Sequence, residues 1–129
     1  MKIDKNYFIK QGFTKEELNN HIKSIKRDLT IAQKNKDPEV IFHFTYMALI
    51  KLGIYIIAKN GYRIKSRPGH HIIIIETLST FLHSEDIASI GNNMRKYRNL
   101  DFYSSSIFIT SSEVKEYFEF VSDLCNKVI

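Results

Sequence analysis

The stretch DPEVIFHFTYMALIKLGIYIIAKNG, running from Asp37 to Gly61, decides the fold. Asp37 is a capping residue followed by Pro38 at the first helical position, where the missing amide hydrogen costs nothing. Asn60-Gly61 is a C-terminal stop signal. Between them Val40, Ile41, Phe44, Met47, Ala48, Leu49, Ile50, Leu52, Ile54, Tyr55, Ile56 and Ile57 leave little of the helix surface polar, the mark of a helix enclosed by others. Residues 40–58 are also long enough to span a bilayer. They include Lys51, however, and a mid-span charge costs about 3 kcal/mol on insertion scales, so a buried central helix is the preferred reading.

Working outward, Thr14 and Glu17 have the spacing of a capping box, which starts a helix expected to reach about Lys34. Its apolar positions Leu18, Ile22, Ile25, Leu29 and Ala32 step by four and three, giving one buried stripe with the lysines and Arg27 mostly off it. On the other side, residues 61–69 read as a basic connector with Arg67-Pro68-Gly69 as a turn. Ile72 to Ile75 have the β-branched content of a strand. A helix from His70 to about Leu82 is favoured, because Ile74, Leu78, Phe81 and Leu82 continue at helical spacing and no partner strand is apparent. Ser84, with Glu85 and Asp86 behind it, is expected to cap a fourth helix whose stripe is Ile87, Ile90, Met94 and Tyr97. A serine-rich loop from about Asp101 to Ser112 carries the short apolar run 107–109. Thr110 and Glu113 form a second capping box, opening a last helix with Val114, Tyr117, Phe118, Val121, Leu124, Cys125 and Val128 on its apolar face. The fold class is therefore all-α: an antiparallel up-and-down bundle of four to five helices, in one domain over residues 1–129.

Composition agrees. A chain of 129 residues with 43% apolar content can bury an ordinary core, and 26% charged residues argue against disorder. The single cysteine, Cys125, excludes an intramolecular disulfide and a cysteine-rich metal site, and no cofactor or metal is expected. The first ten residues lack the apolar core of a secretion signal, so a cytoplasmic location is expected. The net charge of +5 is unevenly spread. Residues 1–36 hold nine Lys or Arg against four acids, and residues 59–71 hold Lys59, Arg63, Lys65 and Arg67 with no acid. With Arg95, Lys96 and Arg98 these make a candidate anion-facing surface, although lysines along the first helix are also what a solvated outer face looks like.

The informative stretch for chemistry is Met94-Arg95-Lys96-Tyr97-Arg98-Asn99-Leu100-Asp101-Phe102-Tyr103. Arg95 and Arg98 are three apart on a helix, so their guanidinium forks are neighbours able to converge on one phosphate, with Asn99 four after Arg95. Asp101 offers the alternative of an ion-paired helix end that closes the bundle. Arg98 and Tyr103 face one cleft only if the helix stops or bends near Asn99. His70 and His71 follow Gly69 and either face a ligand or help begin the third helix; adjacent residues are not the i, i+4 pair of a metalloprotease helix. His43, among Phe42, Phe44 and Tyr46, reads as a core histidine, or as a base if the bundle brings it near Arg98, while His21 and His83 read as surface residues. Phe42, Phe44, Tyr46 and Tyr55 read as core rather than as a base-stacking platform.

The order of elements, with Arg98-Asn99 near the end of the fourth helix, resembles the HEPN domain (higher eukaryotes and prokaryotes nucleotide-binding). Members of that family often carry Arg, commonly followed by Asn, then four to six residues and His. The stretch from Phe42 to Gly61, then Gly69-His70 and the next helix, is similar to the middle of the family. The resemblance covers roughly residues 14–128. It implies RNA or nucleotide-phosphate binding in a toxin-antitoxin or defence setting, as a metal-independent ribonuclease or an inactive relative of one. It also implies a homodimer whose two motifs share a basic cleft, and pairing with a minimal nucleotidyltransferase. Residue by residue it implies a catalytic set of Arg98, Asn99 and Tyr103, while the charge distribution and spacing supply the candidate phosphate-binding set Arg95, Lys96, Arg98, Arg63, Lys65 and Arg67.

The departure lies at Tyr103, which stands where active members place His, and no His follows His83. A tyrosine of ordinary pKa near 10 is ionised in only about one molecule in a thousand at pH 7, which makes it a poor base. Two readings follow from the residues: a phosphate-binding site with weak or lapsed cleavage, and a non-catalytic interaction module in which the Arg, Asn, Asp and Tyr cluster is structural.

Overall fold

The computed structural model describes residues 4–100 and 109–129. Five helices dominate: α1 (Lys15–Lys34), α2 (Pro38–Lys59), α3 (His70–Phe81), α4 (Glu85–Asn99) and α5 (Ser111–Val128). Two three-residue strands, β1 (Phe8–Lys10) and β2 (Tyr62–Ile64), pair antiparallel with Phe8 opposite Ile64 and Lys10 opposite Tyr62. The bundle is all-α apart from this ribbon.

The helix starts follow from their caps. Thr14 and Thr110 each accept a hydrogen bond from the amide three residues on, and Glu17 and Glu113 reach back to the cap amide, completing both capping boxes. The Asp37 carboxylate accepts from the Glu39 amide at 3.0 Å, with Pro38 as the first helical residue. The fourth start departs from expectation: Ser84 is the N-cap of α4, yet its side chain makes no capping bond. Instead its backbone is held by Ser79, whose hydroxyl donates to the Ser84 carbonyl at 2.7 Å.

Helix α2 is the axis of the fold. It packs against α1, α3, α4, α5 and β2. Phe42, Tyr46, Leu49, Ile50, Leu52, Ile56 and Ile57 on it are all buried. By length and composition it is the one described helix able to cross a membrane, but most of it is buried within the bundle, which is compatible with a soluble protein. Lys51, the charge within this apolar helix, is matched by Asp28 of α1. Its ammonium lies 2.7 Å from the Asp28 carboxylate and donates to the Ser24 hydroxyl at 2.8 Å. Asp28 is 2% exposed, and the pair pins α1 to α2 inside the bundle. Removing either partner would leave the other's charge uncompensated.

Four sequence expectations are corrected here. Residues 61–69 are not simply a connector, since β2 lies within them. The chain does contain a partner strand, β1, whose three residues are too few to show a period. His43 is exposed rather than in the core, on the outer side of α2 with its ring edge-on to Phe44. His83 is exposed as expected, but His21 is half-buried and packs edge-on against Phe13. Cys125 is fully buried, and that burial pushes its thiol up to about 12, so it is an inert core group.

Candidate functional site

The site begins with how the chain leaves α2. Gly61, at φ +83°, reverses the backbone into β2, and Lys65 N donates to the Tyr7 carbonyl at 2.6 Å, continuing the ribbon. The turn that follows is tied down by the N-terminal segment. Arg67 Nη1 donates to the Asn6 carbonyl at 2.8 Å, and the guanidinium sits over the Tyr7 ring, 6.0 Å from its centroid. Gly69 then takes φ +82°, a left-handed conformation that suits glycine, and serves as N-cap of α3 with no side chain to satisfy the first amides. His70 and His71 are the first two residues of that helix.

Helices α3 and α4 pack against each other and are joined by the short segment 82–84, so the start of α3 lies beside the end of α4. Between them is an open cleft of about 670 Å³, lined by Ser66, Arg67, Gly69, His70, Arg95 and Asn99 together with Pro68, His71 and Ile72. No Asp or Glu lines it among the described residues. A second cleft of similar volume, about 660 Å³, lies beside Phe81 and is lined by Asp4 and Glu76 with no Lys or Arg. Of these two the first has the charge to attract an anion, and the positive end of α3, which no side chain caps, adds to it.

The structure therefore brings together Arg67, Arg95 and Asn99 from the sequence-derived set. Arg98 is exposed and close enough for its charge to act on Tyr46 and His71. Lys96 is exposed and does not line the cleft. Arg63 and Lys65 are directed elsewhere: Arg63 Nε donates to Gln11 Oε1 at 3.0 Å, and Lys65 Nζ donates to the Lys5 carbonyl at 3.3 Å. Helix α4 ends at Asn99, the stop that the spacing of Arg98 and Tyr103 requires, while Asp101 and Tyr103 themselves lie outside the described residues.

His71, which the sequence left between facing a ligand and beginning α3, lines the cleft as the second residue of that helix. Its Nδ1 lies 2.8 Å from the hydroxyl of Tyr46, a fully buried side chain of α2, and its ring packs 4.5 Å from that of His70. Burial holds its pKa below the ordinary histidine value, and His70 when protonated, Arg98 and Arg95 act in the same direction, all favouring the neutral ring. Burial likewise pushes the Tyr46 phenol up to about 12, against the pull of Arg95 and Arg98. Tyr46 is thus a core residue with its one polar atom turned to the site. The available signal was a phenol on an otherwise apolar helix, since buried tyrosine hydroxyls usually find a partner.

The end of α4 is fixed to α5 by a separate network. The Tyr97 hydroxyl donates to Glu113 Oε2, while Thr110 Oγ1 donates to Glu113 Oε1 at 3.0 Å. The Tyr97 and Thr110 hydrogen bonds hold the Glu113 carboxyl below its ordinary range. A depressed carboxyl pKa contributes stability that is present above the unfolded value and lost as pH falls through the folded one. Tyr97→Phe is therefore expected to lower stability at pH 7, by a gap that narrows when the melt is repeated at acid pH, below the ordinary carboxyl value of about 4.3. Urea melts at the two pH values measure this; an equal gap at both would refute the linkage.

Compared with protein-family models, with curated proteins and with solved structures, the chain matches none.

Proposed function

We propose that this chain is a HEPN-like protein that binds RNA or a nucleotide phosphate in the cleft between the start of α3 and the end of α4, within a toxin-antitoxin or defence system. The observation that carries the reading is the convergence of Arg67, Arg95, Asn99 and the His70-His71 start of α3 on one cleft without a lining carboxylate. Guanidinium groups pair with phosphate oxygens in a bidentate fork, and helix-start amides donate to the same anion. The resemblance in element order supports extending the proposal to a cytoplasmic homodimer with a minimal nucleotidyltransferase as its partner, and to metal-independent cleavage as the associated chemistry.

Binding of a labelled single-stranded RNA, followed by fluorescence anisotropy, tests it. Phosphate recognition predicts affinity that falls steeply between about 50 and 200 mM salt, with a log–log slope of about −0.7 for each phosphate neutralised. Absence of binding at the lower salt would sink the proposal.

A further inference from the structure

The two adjacent histidines are held in opposite tautomers. His70 Nδ1 lies 2.8 Å from the Arg67 carbonyl. A carbonyl only accepts, so Nδ1 carries the hydrogen and the neutral ring leaves a lone pair on Nε2. At His71 the roles reverse. The Tyr46 phenol is buried, and among the described residues His71 Nδ1 is the one partner of its hydroxyl. A buried hydroxyl left undonated would cost about 1–3 kcal/mol, so the phenol donates to Nδ1 and the ring carries its hydrogen on Nε2. Two rings that line one cleft thus carry opposite Nε2 atoms, a lone pair on His70 and a hydrogen on His71.

We propose that His70 and His71 form the acid–base centre of the cleft, with His70 Nε2 taking the proton of an RNA 2′-hydroxyl and His71 Nε2–H donating to the phosphate under attack. This rests on the phosphate-binding reading and supplies the base that Tyr103 makes poorly. The 2′-oxygen forms a bond to the adjacent phosphorus, and the bond from phosphorus to the 5′-oxygen breaks. The proton taken by His70 passes through solvent water to the departing 5′-oxygen. The products are a 2′,3′-cyclic phosphate and a 5′-hydroxyl, with no net proton change and no oxidant or metal consumed. Arg95, which lines the cleft, faces the charge that develops on the phosphoryl oxygens. Tyr46 is a positioning residue that acts through His71. The titratable and charged groups around the two rings are Tyr46 of α2, Arg95 and Arg98 of α4, Arg67 of the preceding turn, and, on the far side of His70, His21 of α1 with Tyr62 and Arg63 of β2.

The test uses the full chain in chelator with a labelled single-stranded RNA and the same strand carrying one 2′-deoxy position, scoring binding and cutting separately. The wild type is expected to cut the RNA to 2′,3′-cyclic ends and to leave the deoxy linkage whole. His70→Asn, purified by the same route, is expected to bind within about twofold while cutting at least a hundredfold more slowly. In parallel, long-range proton–nitrogen spectra of the imidazoles at neutral pH are expected to show His70 with its hydrogen on Nδ1 and His71 with its hydrogen on Nε2. Tyr46→Phe is expected to free the His71 ring to populate both tautomers. RNA binding without cutting, cutting unchanged in His70→Asn, or the reverse tautomers would overturn the assignment and leave phosphate binding standing. No RNA binding at all would overturn both.

Discussion

Arg95→Ala is expected to weaken RNA binding about ten- to a hundredfold and to reduce the salt slope by about 0.7, the contribution of one phosphate contact. The side chain is half-buried at the edge of the cleft, and its Nε donates to Asn92 Oδ1 at 3.3 Å, a long bond to a neighbour on its own helix. Losing that bond leaves the core intact, so stability is expected to change by no more than about 0.5 kcal/mol. The pairing of a large binding loss with an unchanged melting temperature separates this account from one in which the end of α4 only closes the bundle. Anisotropy titrations and thermal melts on the same preparations give both numbers. A variant that unfolds, or that binds as the wild type does, would favour the structural reading.

Gly53→Val is expected to destabilise the fold by about 2–3 kcal/mol, lowering Tm by about 10 °C. A Cβ at position 53 would stand 2.3 Å from Ile74 Cγ2 and 3.3 Å from the Ile74 carbonyl oxygen. The first is a methyl on a β-branched carbon with little rotameric freedom in a helix, and the second is backbone, so neither yields without moving α3. The gain in helix propensity on losing glycine, a few tenths of a kcal/mol for valine, is too small to compensate. Gly12→Ala is the control: nothing lies within 4 Å of its added carbon, and a neutral to slightly stabilising effect is expected. Because Ile74 shares α3 with His70 and His71, displacing it also disturbs the site. Gly53 therefore links the core packing to the placement of the two histidines.

The helices were legible because their signals are local. A Thr and a Glu three apart, an Asp before a Pro, and an apolar step of three and four each announce themselves within a few residues. What was hidden depends on partners distant in the chain. Strands β1 and β2 are separated by α1 and α2, and three residues apiece are too few to display a period. The burial of Asp28 has no local signal, because Lys51, which makes it tolerable, belongs to another helix. His43 was assigned to the core on the apolarity of its neighbours, whereas even the central helix keeps a strip facing solvent.

The site divides in the same way. Arg95 and Asn99 share a face by helical spacing alone, and both line the cleft. That His71 belongs with them follows only from packing α3 alongside α4, which carries a helix start to a helix end. That it has a defined tautomer follows from Tyr46 on a third helix. A phenol among isoleucines and leucines gives no hint from sequence of which polar atom it will meet.

Proton–nitrogen backbone spectra recorded while a short single-stranded RNA is added test the central claim most directly. The account predicts shifts concentrated at the amides of Gly69, His70, His71 and Ile72 and at those of Arg95 and Asn99, the two helix ends that form the cleft. Shifts confined to the cleft around Glu76 and Phe81, or none at all, would contradict it.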